Sequence, residues 1–371
     1  MNWSGVAVML KRFEVSNFKQ FSHIILDFTK IREYQFNMGC IAQQTIKSAL
    51  IYGANASGKT NLGLALFDIT CHLVDKQQHL DAYHYYLNAD HSDKPAEFRY
   101  DFSFDDANIT YLYKKLNYNE LIEEQLYIDG KEVLFYNLQT GEKRVTEAFG
   151  HLNWLFMDKK LSGLRYLANN SNLKTTSPIY KLIDFVGKML WFRRSDDANS
   201  YMGFTTGAAS LIDFIVKNDL KDDFENFLNT YGVHEKLALL KKPDGQYQLY
   251  FKHAVPIPFN ATASSGTQAL YLFYYWYKQI QDVSFLFIDE FDAFYHPMLA
   301  KKVLCLLRDT FTGQSILTTH NVYLMNNDVM RPDCCFIIHK DGIHSFADAT
   351  TRELREGNNI GKLYLSGEFD G

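Results

Sequence analysis

Hydrophobic and polar positions change their spacing several times along the chain, and each change predicts a different element. From Leu10 to Val15 and from Ile24 to Phe28 short apolar runs predict two strands of a hairpin, joined through Ser16 to His23 and leading into the next strand. That strand is the apolar run Ser48 to Tyr52. Beyond Asn61 the apolar residues close up to helical spacing, which holds to about Lys76. His79 to Lys94 is polar and rich in Tyr and His, as expected of a surface connection. Glu97 to Phe104 alternates aromatic and polar residues with a period of two, and Tyr111 to Leu116 and Gln125 to Ile128 continue in the same way. Asp129-Gly130-Lys131 is a hairpin turn before Glu132 to Tyr136. The four runs predict a small antiparallel sheet beside the main one.

From about Glu147 to Leu240 apolar residues return at three- and four-residue spacing, notably over Ile179 to Leu190 and Ala208 to Tyr231, with charges between them. A helical lobe is expected there, without the regular heptads of a long coiled coil. Gly245 to Lys252 returns to strand character, and Ala269 onward is helical. Asp282 to Asp289 is a buried strand, Met298 to Thr310 a helix with Pro297 in its first turn, and Gln314 to Thr319 a further strand.

Candidate chemistry sits where these elements end. Gly53-Ala54-Asn55-Ala56-Ser57-Gly58-Lys59-Thr60 fits G-x-x-x-x-G-K-[ST], between a strand and a helix. In such a loop the backbone N–H groups wrap phosphate oxygens, the lysine reaches the outer phosphates and the hydroxyl ligates Mg²⁺. The strand after Asp282 closes on Asp289-Glu290. An acidic pair at the carboxyl end of a central strand suits a Mg²⁺-holding Asp289 and a water-polarising Glu290. Ser264-Ser265-Gly266-Thr267-Gln268 opens a helix, where a serine can cap the helix or its exposed N–H groups can face an anion. His320 ends the next strand, placed to sense a terminal phosphate or orient water.

Composition narrows this little. The formal net charge of -5 over 371 residues argues against a protein whose main work is coating nucleic acid. The pairs Lys159-Lys160, Arg193-Arg194 and Lys241-Lys242 leave a local nucleic-acid contact open, although solvated faces are the readier account of them. Five cysteines form no C-x-x-C pair and suit reduced thiols, and no zinc site is expected. The longest apolar run, Ala269 to Tyr277, is far short of the roughly 20 residues of a membrane span, so a cytoplasmic protein is expected. The first patterned segment opens at Met9, which leaves open whether translation starts there or at Met1.

Taken together, Asn17-Phe18-Lys19-Gln20-Phe21, Gly53-x-Asn55-x-Ser57-Gly58-Lys59-Thr60-Asn61, Ser264-Ser265-Gly266-Thr267, Asp289-Glu290-x-Asp292-x-x-x-His296-Pro297 and Thr318-Thr319-His320-Asn321 resemble the ABC-class ATPases of the SMC, RecF and OLD group. More narrowly, the set is similar to the compact prokaryotic AAA-type ATPases of anti-phage abortive-infection systems, as is the ending Lys362 to Phe369. The resemblance implies an α/β P-loop head with a mixed central sheet, a small antiparallel sheet and a helical signature lobe. It divides the chain at 9–76 (first part of the ATPase lobe), 95–146 (β insertion), 147–262 (helical lobe) and 263–371 (signature helix, Walker B, switch histidine and the rest of the ATPase lobe). It implies ATP and Mg²⁺, a head-to-tail homodimer or higher homo-oligomer in which Ser264 to Gln268 of one subunit cap the other's nucleotide, and a separately encoded toxin or nuclease effector. A DNA-repair ATPase of the RecF or SMC kind is the alternative. No membrane is implied.

Three features depart from transporter ATPases or stay open. The signature is S-S-G-T, and His296 stands where transporters carry an aspartate. No glutamine among Gln77, Gln78 and Gln125 has the neighbours of a Q-loop. Lys59 and Asp289 are 289 − 59 = 230 positions apart, room for the two lobes but not for long coiled-coil arms. The stretch after His320 lacks a separated glutamate and Asp-x-Asp set, so a nuclease site within the chain is not expected.

Overall fold

A computed structural model describes residues 9–74, 80–104, 107–154, 161–194, 199–203, 211–339 and 342–369. Two sheets of seven strands each, with one helix between them, set the architecture. The N-terminal hairpin is β1 (Met9–Phe18) and β2 (Phe21–Asp27); two short strands, β3 (Ile41–Ala42) and β4 (Thr45–Ile46), precede β5 (Ser48–Tyr52). Helix α1 (Lys59–Leu73) follows the phosphate loop. Then come β6 (Ala96–Phe104), β7 (Ala107–Asn117), β8 (Glu120–Ile128), β9 (Lys131–Asn137) and β10 (Lys143–Val145). These five pair antiparallel in sequence order, and β1 and β2 extend the sheet beyond β6, giving β10-β9-β8-β7-β6-β1-β2.

The antiparallel sheet is therefore not small. The hairpin predicted to lead into the phosphate-loop strand belongs to this other sheet, because the inward row Phe13, Val15 of β1 meets the inward row Tyr100, Phe98 of β6 in direct register. The Asp129-Gly130 turn is as expected, with φ of 50° and 76° at its two residues, which suits the twist of the flanking strands.

The next elements are α2 (Gly163–Asn170), α3 (Pro178–Gly187), β11 (Met189–Arg194), β12 (Asn199–Gly203), α4 (Leu211–Lys217), α5 (Lys221–Thr230), β13 (Leu237–Lys241), β14 (Tyr247–Phe251), β15 (Ile257–Pro258) and α6 (Phe259–Thr262). The segment expected to be helical thus also holds strands. β13, β14 and β15 form a three-stranded sheet, and β11 with β12 joins the central one. Met189-Leu190-Trp191-Phe192 is a continuous apolar run, and such a run is a doubly covered parallel strand as readily as the end of a helix. The chain closes with α7 (Ser265–Tyr277), β16 (Phe285–Asp289), α8 (Pro297–Thr310), β17 (Gln314–Thr319), β18 (Cys335–His339), β19 (Gly342–Ser345) and α9 (Ile360–Leu365).

The central sheet runs β12-β11-β16-β17-β5-β18-β19. Its five inner strands are parallel and its two edge strands antiparallel, which makes it mixed as expected. Three carboxyl ends lie side by side: β5 runs into the phosphate loop, β16 ends on Asp289 and β17 ends on Thr319. Open parallel sheets bind ligands at such ends. Among the described residues no helix is long and apolar enough to cross a membrane.

Helix α1 is buried from Leu62 to Cys71 without a break, because it packs on β16 and β11 on one side and β1 on another. Gly63 lets it approach the sheet: a Cβ there would stand 2.7 Å from Phe287 Cε1. Its polar residues are paired with the antiparallel sheet. Asp68 meets Lys115 Nζ at 2.7 Å and accepts hydrogen bonds from Tyr86 and Tyr113, each at 2.9 Å, with the ion pair almost fully buried. Tyr83 donates to Leu64 O at 3.0 Å. Tyr83 and Tyr86 are thus core residues, and the stretch expected to be a surface connection is partly inserted: their rings bury against the sheet and α1 while each hydroxyl finds an acceptor. His79, the first residue of that stretch, lies outside the described residues, as does the end of the helix expected to run to about Lys76.

A second buried carboxylate, Glu124 on β8, accepts from Tyr111 (2.9 Å), Ser162 (2.8 Å), Leu164 N (3.3 Å) and Gly163 N at the start of α2. Burial pushes its carboxyl from 4.5 up to about 7, against the hydrogen bonds that favour the charged form. The folded chain therefore keeps this proton in a window where the unfolded chain has released it. The associated stability is present below the unfolded value and is lost as pH rises through about 7. Glu124→Gln cannot ionise, so raising the pH from 4.5 to above 7 shifts the wild-type minus variant unfolding free energy by on the order of 3 kcal/mol in the variant's favour. Urea unfolding at the two ends of that window measures the shift; parallel curves for the two proteins contradict it.

Candidate active site

The phosphate loop leaves β5 at Gly53 and enters α1 at Lys59, with Gly58 capping the helix at φ 105°, a backbone conformation that favours glycine. A Cβ at Gly58 would lie 2.6 Å from Gln20 Nε2 and 2.7 Å from Phe21 Cε1. At Gly53 it would run into Ser57 Oγ and Ile338. Both glycines of the motif are thus required by close approach. The loop opens on a cavity of about 230 Å³ lined by Asn55 through Asn61 together with Gln20 and Glu290. Ser57 Oγ is buried beside Gly53 without a hydrogen-bond partner.

Lys59 is buried, and its ammonium donates to Gly53 O at 2.8 Å and Ala54 O at 3.0 Å, folding back over the loop. Burial lowers its pKa, opposed by the negative charges of Glu290, Asp289 and Asp292. Thr60 donates to Asp289 Oδ2 at 2.7 Å, and Thr318 to Asp289 Oδ1 at 2.7 Å. One hydroxyl and one carboxylate so juxtaposed fit Mg²⁺, which keeps several waters and takes few protein oxygens. Glu290 has φ 49°, a left-handed conformation costing a non-glycine residue about 1 kcal/mol. Its N–H donates to Thr318 Oγ1 at 2.8 Å, which holds the turn that aims the side chain at the cavity.

Asp292 makes contacts that sequence reasoning did not anticipate. It is buried, accepts from Thr319 Oγ1 at 2.9 Å, and its carboxyl is raised by burial against hydrogen bonds from Thr319 and Asn321. It ties the turn after β16 to the tip of β17. His320 is exposed at that tip and does not line the loop's cavity.

Ser264 caps α7, its hydroxyl accepting from Thr267 N at 3.2 Å. Gln268 donates to Ala263 O at 3.0 Å. Ser264 and Ser265 are exposed and Thr267 buried. Gly266 is close-packed: a Cβ there would stand 3.0 Å from Phe294 O. Ser264, Gly266 and Thr267 line a second cavity of about 440 Å³ with His296 and Lys302, and it shares no lining residue with the first. The structure thus gathers Asn55 to Asn61, Asp289 and Glu290 at one place and sets Ser264 to Gln268 at another.

The N-terminal hairpin supplies a residue not assigned from sequence. Gln20, at its tip, accepts from Asn61 Nδ2 at 2.8 Å and donates to Ala56 O at 3.4 Å. The Asn-Phe-Lys-Gln-Phe run was its only local signal. Lys19, beside it, is half-buried and donates to His84 O at 3.0 Å; burial lowers its pKa. Gln125, a candidate Q-loop residue, bonds Glu123 and Tyr127 on the outer side of the antiparallel sheet. Gln77, Gln78, Lys159 and Lys160 lie outside the described residues.

A family model described as "AAA domain, putative AbiEii toxin, Type IV TA system" matches residues 48–326. No curated protein matches the chain. Among solved structures, an Smc head bound to the C-winged helix domain of ScpA shares 16% identity, with 91% of this chain and 97% of that one covered and a TM-score of 0.47. The SMC head domain from Thermotoga maritima shares 15%, covering 91% and 98% at a TM-score of 0.45. An Smc head domain with an extended coiled coil, bound to the C-terminal domain of ScpA from Pyrococcus furiosus, shares 13%, covering 91% and 96% at 0.47.

Proposed function

The chain belongs to the AAA-domain family described as putative AbiEii toxin, Type IV TA system, and on that premise we propose that it is a Mg²⁺-dependent ATPase working as a nucleotide-driven switch. One observation carries the reading: Thr60, Asp289, Thr318 and Glu290 are joined by hydrogen bonds at the carboxyl ends of adjacent parallel strands, beside a loop with an orphaned Ser57 hydroxyl. Backbone N–H groups from Gly53 to Thr60, including those of Asn55, Ser57 and Gly58, take phosphate oxygens, with Asn61 following on the first turn of α1. Lys59 exchanges its two carbonyl partners for the outer phosphates. Thr60 and Asp289 hold Mg²⁺, which neutralises charge on those phosphates. Glu290 accepts a proton from water as the water oxygen bonds to the γ-phosphorus. The bond from that phosphorus to the bridging oxygen breaks, leaving ADP and phosphate. His320 senses the γ-phosphate from the tip of β17.

The signature residues act on a second copy of the chain. Ser265 and Gly266, flanked by Ser264, Thr267 and Gln268, face a partner's nucleotide in a head-to-tail pair. The separation of the two cavities within one chain supports this. ATP binding closes the pair and hydrolysis reopens it. The switch works in an abortive-infection system, a setting that the toxin–antitoxin wording of the family's description supports, and its effector is a separately encoded toxin or nuclease. Phage challenge of cells carrying the chain with its neighbouring reading frame tests this. Protection is lost with Lys59→Ala and, independently, with deletion of the neighbour; protection by the chain alone contradicts a separate effector.

A second reading, an ATPase acting on DNA, is favoured by the exposed Lys241 and Lys242, with Lys241 Nζ 5.9 Å from the ring centre of the exposed Tyr247. It predicts a salt-dependent DNA affinity that charge reversal of the two lysines abolishes.

A further inference from the structure

We infer that Gln20 is a nucleotide-binding residue, a hydrogen-bond donor to phosphate carried into the ATP site by the antiparallel sheet; the inference rests on the nucleotide reading of the loop. The carboxamide's orientation follows from its neighbours. Ala56 O can only accept, so Nε2 of Gln20 faces it; Oε1 then faces Asn61 and takes the N–H of that side chain. The Asn61 bond, at 2.8 Å, is short and fixes the amide, whereas the Ala56 bond, at 3.4 Å, is at the limit of hydrogen bonding. The amide thus presents a weakly used N–H donor to a cavity whose other walls are the phosphate loop. A phosphate oxygen is the acceptor such a donor lacks.

Position chooses which phosphate. Lys59 reaches outward to the β- and γ-phosphates in loops of this type. Gln20 stands instead against Ala56, Gly58 and Asn61, on the side where the chain passes from loop to helix. The loop backbone cradles the α- and β-phosphates in such motifs, so a donor set against that backbone serves ADP and ATP alike.

The hairpin tip is built to hold this amide still. Asn17, near the end of β1, and Lys19, the first residue of the two-residue turn, have φ of 54° and 50°, a conformation that asparagine tolerates and lysine adopts rarely. Asn17 Nδ2 donates to Lys94 O at 2.7 Å and His91 O at 3.0 Å; Lys19 N donates to Tyr86 O at 2.9 Å. The bonds lock the strained turn to the stretch between α1 and β6. They also give occupancy of the nucleotide site a direct contact with the seven-stranded antiparallel sheet.

A charge series at this position tests the assignment in the full chain, with ADP and ATP binding measured by titration calorimetry and melting followed without nucleotide. Gln20→Ala is expected to weaken both nucleotides about tenfold, to a similar extent, with unliganded melting unchanged. Gln20→Glu, of similar shape, weakens them further because a carboxylate faces the phosphates, and Gln20→Lys keeps binding near wild type. Equal affinities across Ala, Glu and Lys overturn the inference, as does a loss that ignores charge and tracks lowered melting. Lys59→Ala run in parallel separates the two readings. If it loses binding while the Gln20 series is flat, only the Gln20 contact fails; if it too binds normally, the nucleotide site itself fails.

Discussion

Replacing Glu290 by Gln slows steady-state ATP hydrolysis by about 10²–10³-fold, while ATP affinity stays within about threefold of wild type. The split follows from where the residue stands. The Glu290 side chain lines the loop's cavity, but the hydrogen bond that fixes its turn is made by its backbone N–H to Thr318, which glutamine retains. The substitution therefore removes a proton acceptor from an otherwise unchanged pocket. Chemistry alone loses, and the ATP-bound pair accumulates. Phosphate release gives the rate, and light scattering with ATP gives the mass. Hydrolysis near the wild-type rate removes Glu290 from the reaction, and an unchanged mass rules out closure of a pair.

Lys59→Ala abolishes measurable ATP binding, a loss of about 100-fold or more. The ammonium is buried against two carbonyls and opposite three carboxylates, Glu290, Asp289 and Asp292, that raise its pKa against burial. It is thus held charged where phosphates would arrive, and alanine leaves that negative cluster uncompensated as a further anion approaches. Because Lys59 makes its bonds within the loop alone, the unliganded variant is expected to melt close to wild type. Calorimetric titration with ATP in Mg²⁺ reads the first effect and thermal unfolding the second. Wild-type affinity contradicts the assignment of the loop, and a large fall in melting temperature without ligand contradicts the local role of the lysine.

The parts of the site that local chemistry specifies were legible in the chain. A strand, a loop with glycine at Gly53 and Gly58, and a helix came from the spacing of apolar residues and from turn residues. β16 and β17 came from apolar runs ending in polar tips, so the neighbouring strand ends at Asp289 and Thr319 followed from the rule that parallel sheets bind ligands at their carboxyl ends. What was missed depends on pairing between distant segments. β1 could have joined β5's sheet on its own pattern, and only its register with β6 decides otherwise. Met189 to Phe192 is apolar throughout, so its period could not separate a helix end from an inner strand. Tyr83 and Tyr86 sit among polar residues, and their burial is visible only once Asp68 and Leu64 O are seen as their partners. Gln20 escaped for the same reason: nothing in a hairpin tip says that it closes over a loop 53 − 20 = 33 positions later.

The proposed switch requires two copies to share each site, and mixing two disabled chains tests that most directly. One chain carries Lys59→Ala and keeps its signature; the other carries Ser265→Arg and keeps its loop. Each alone should be nearly inactive. In a head-to-tail mixed pair, the intact loop of one chain meets the intact signature of the other, giving one working site. With half of all pairs mixed and one of two sites working in each, an equal mixture is expected to recover about a quarter of wild-type ATPase activity. Activity no greater than the average of the two separate proteins would contradict a site completed by the signature of a second chain.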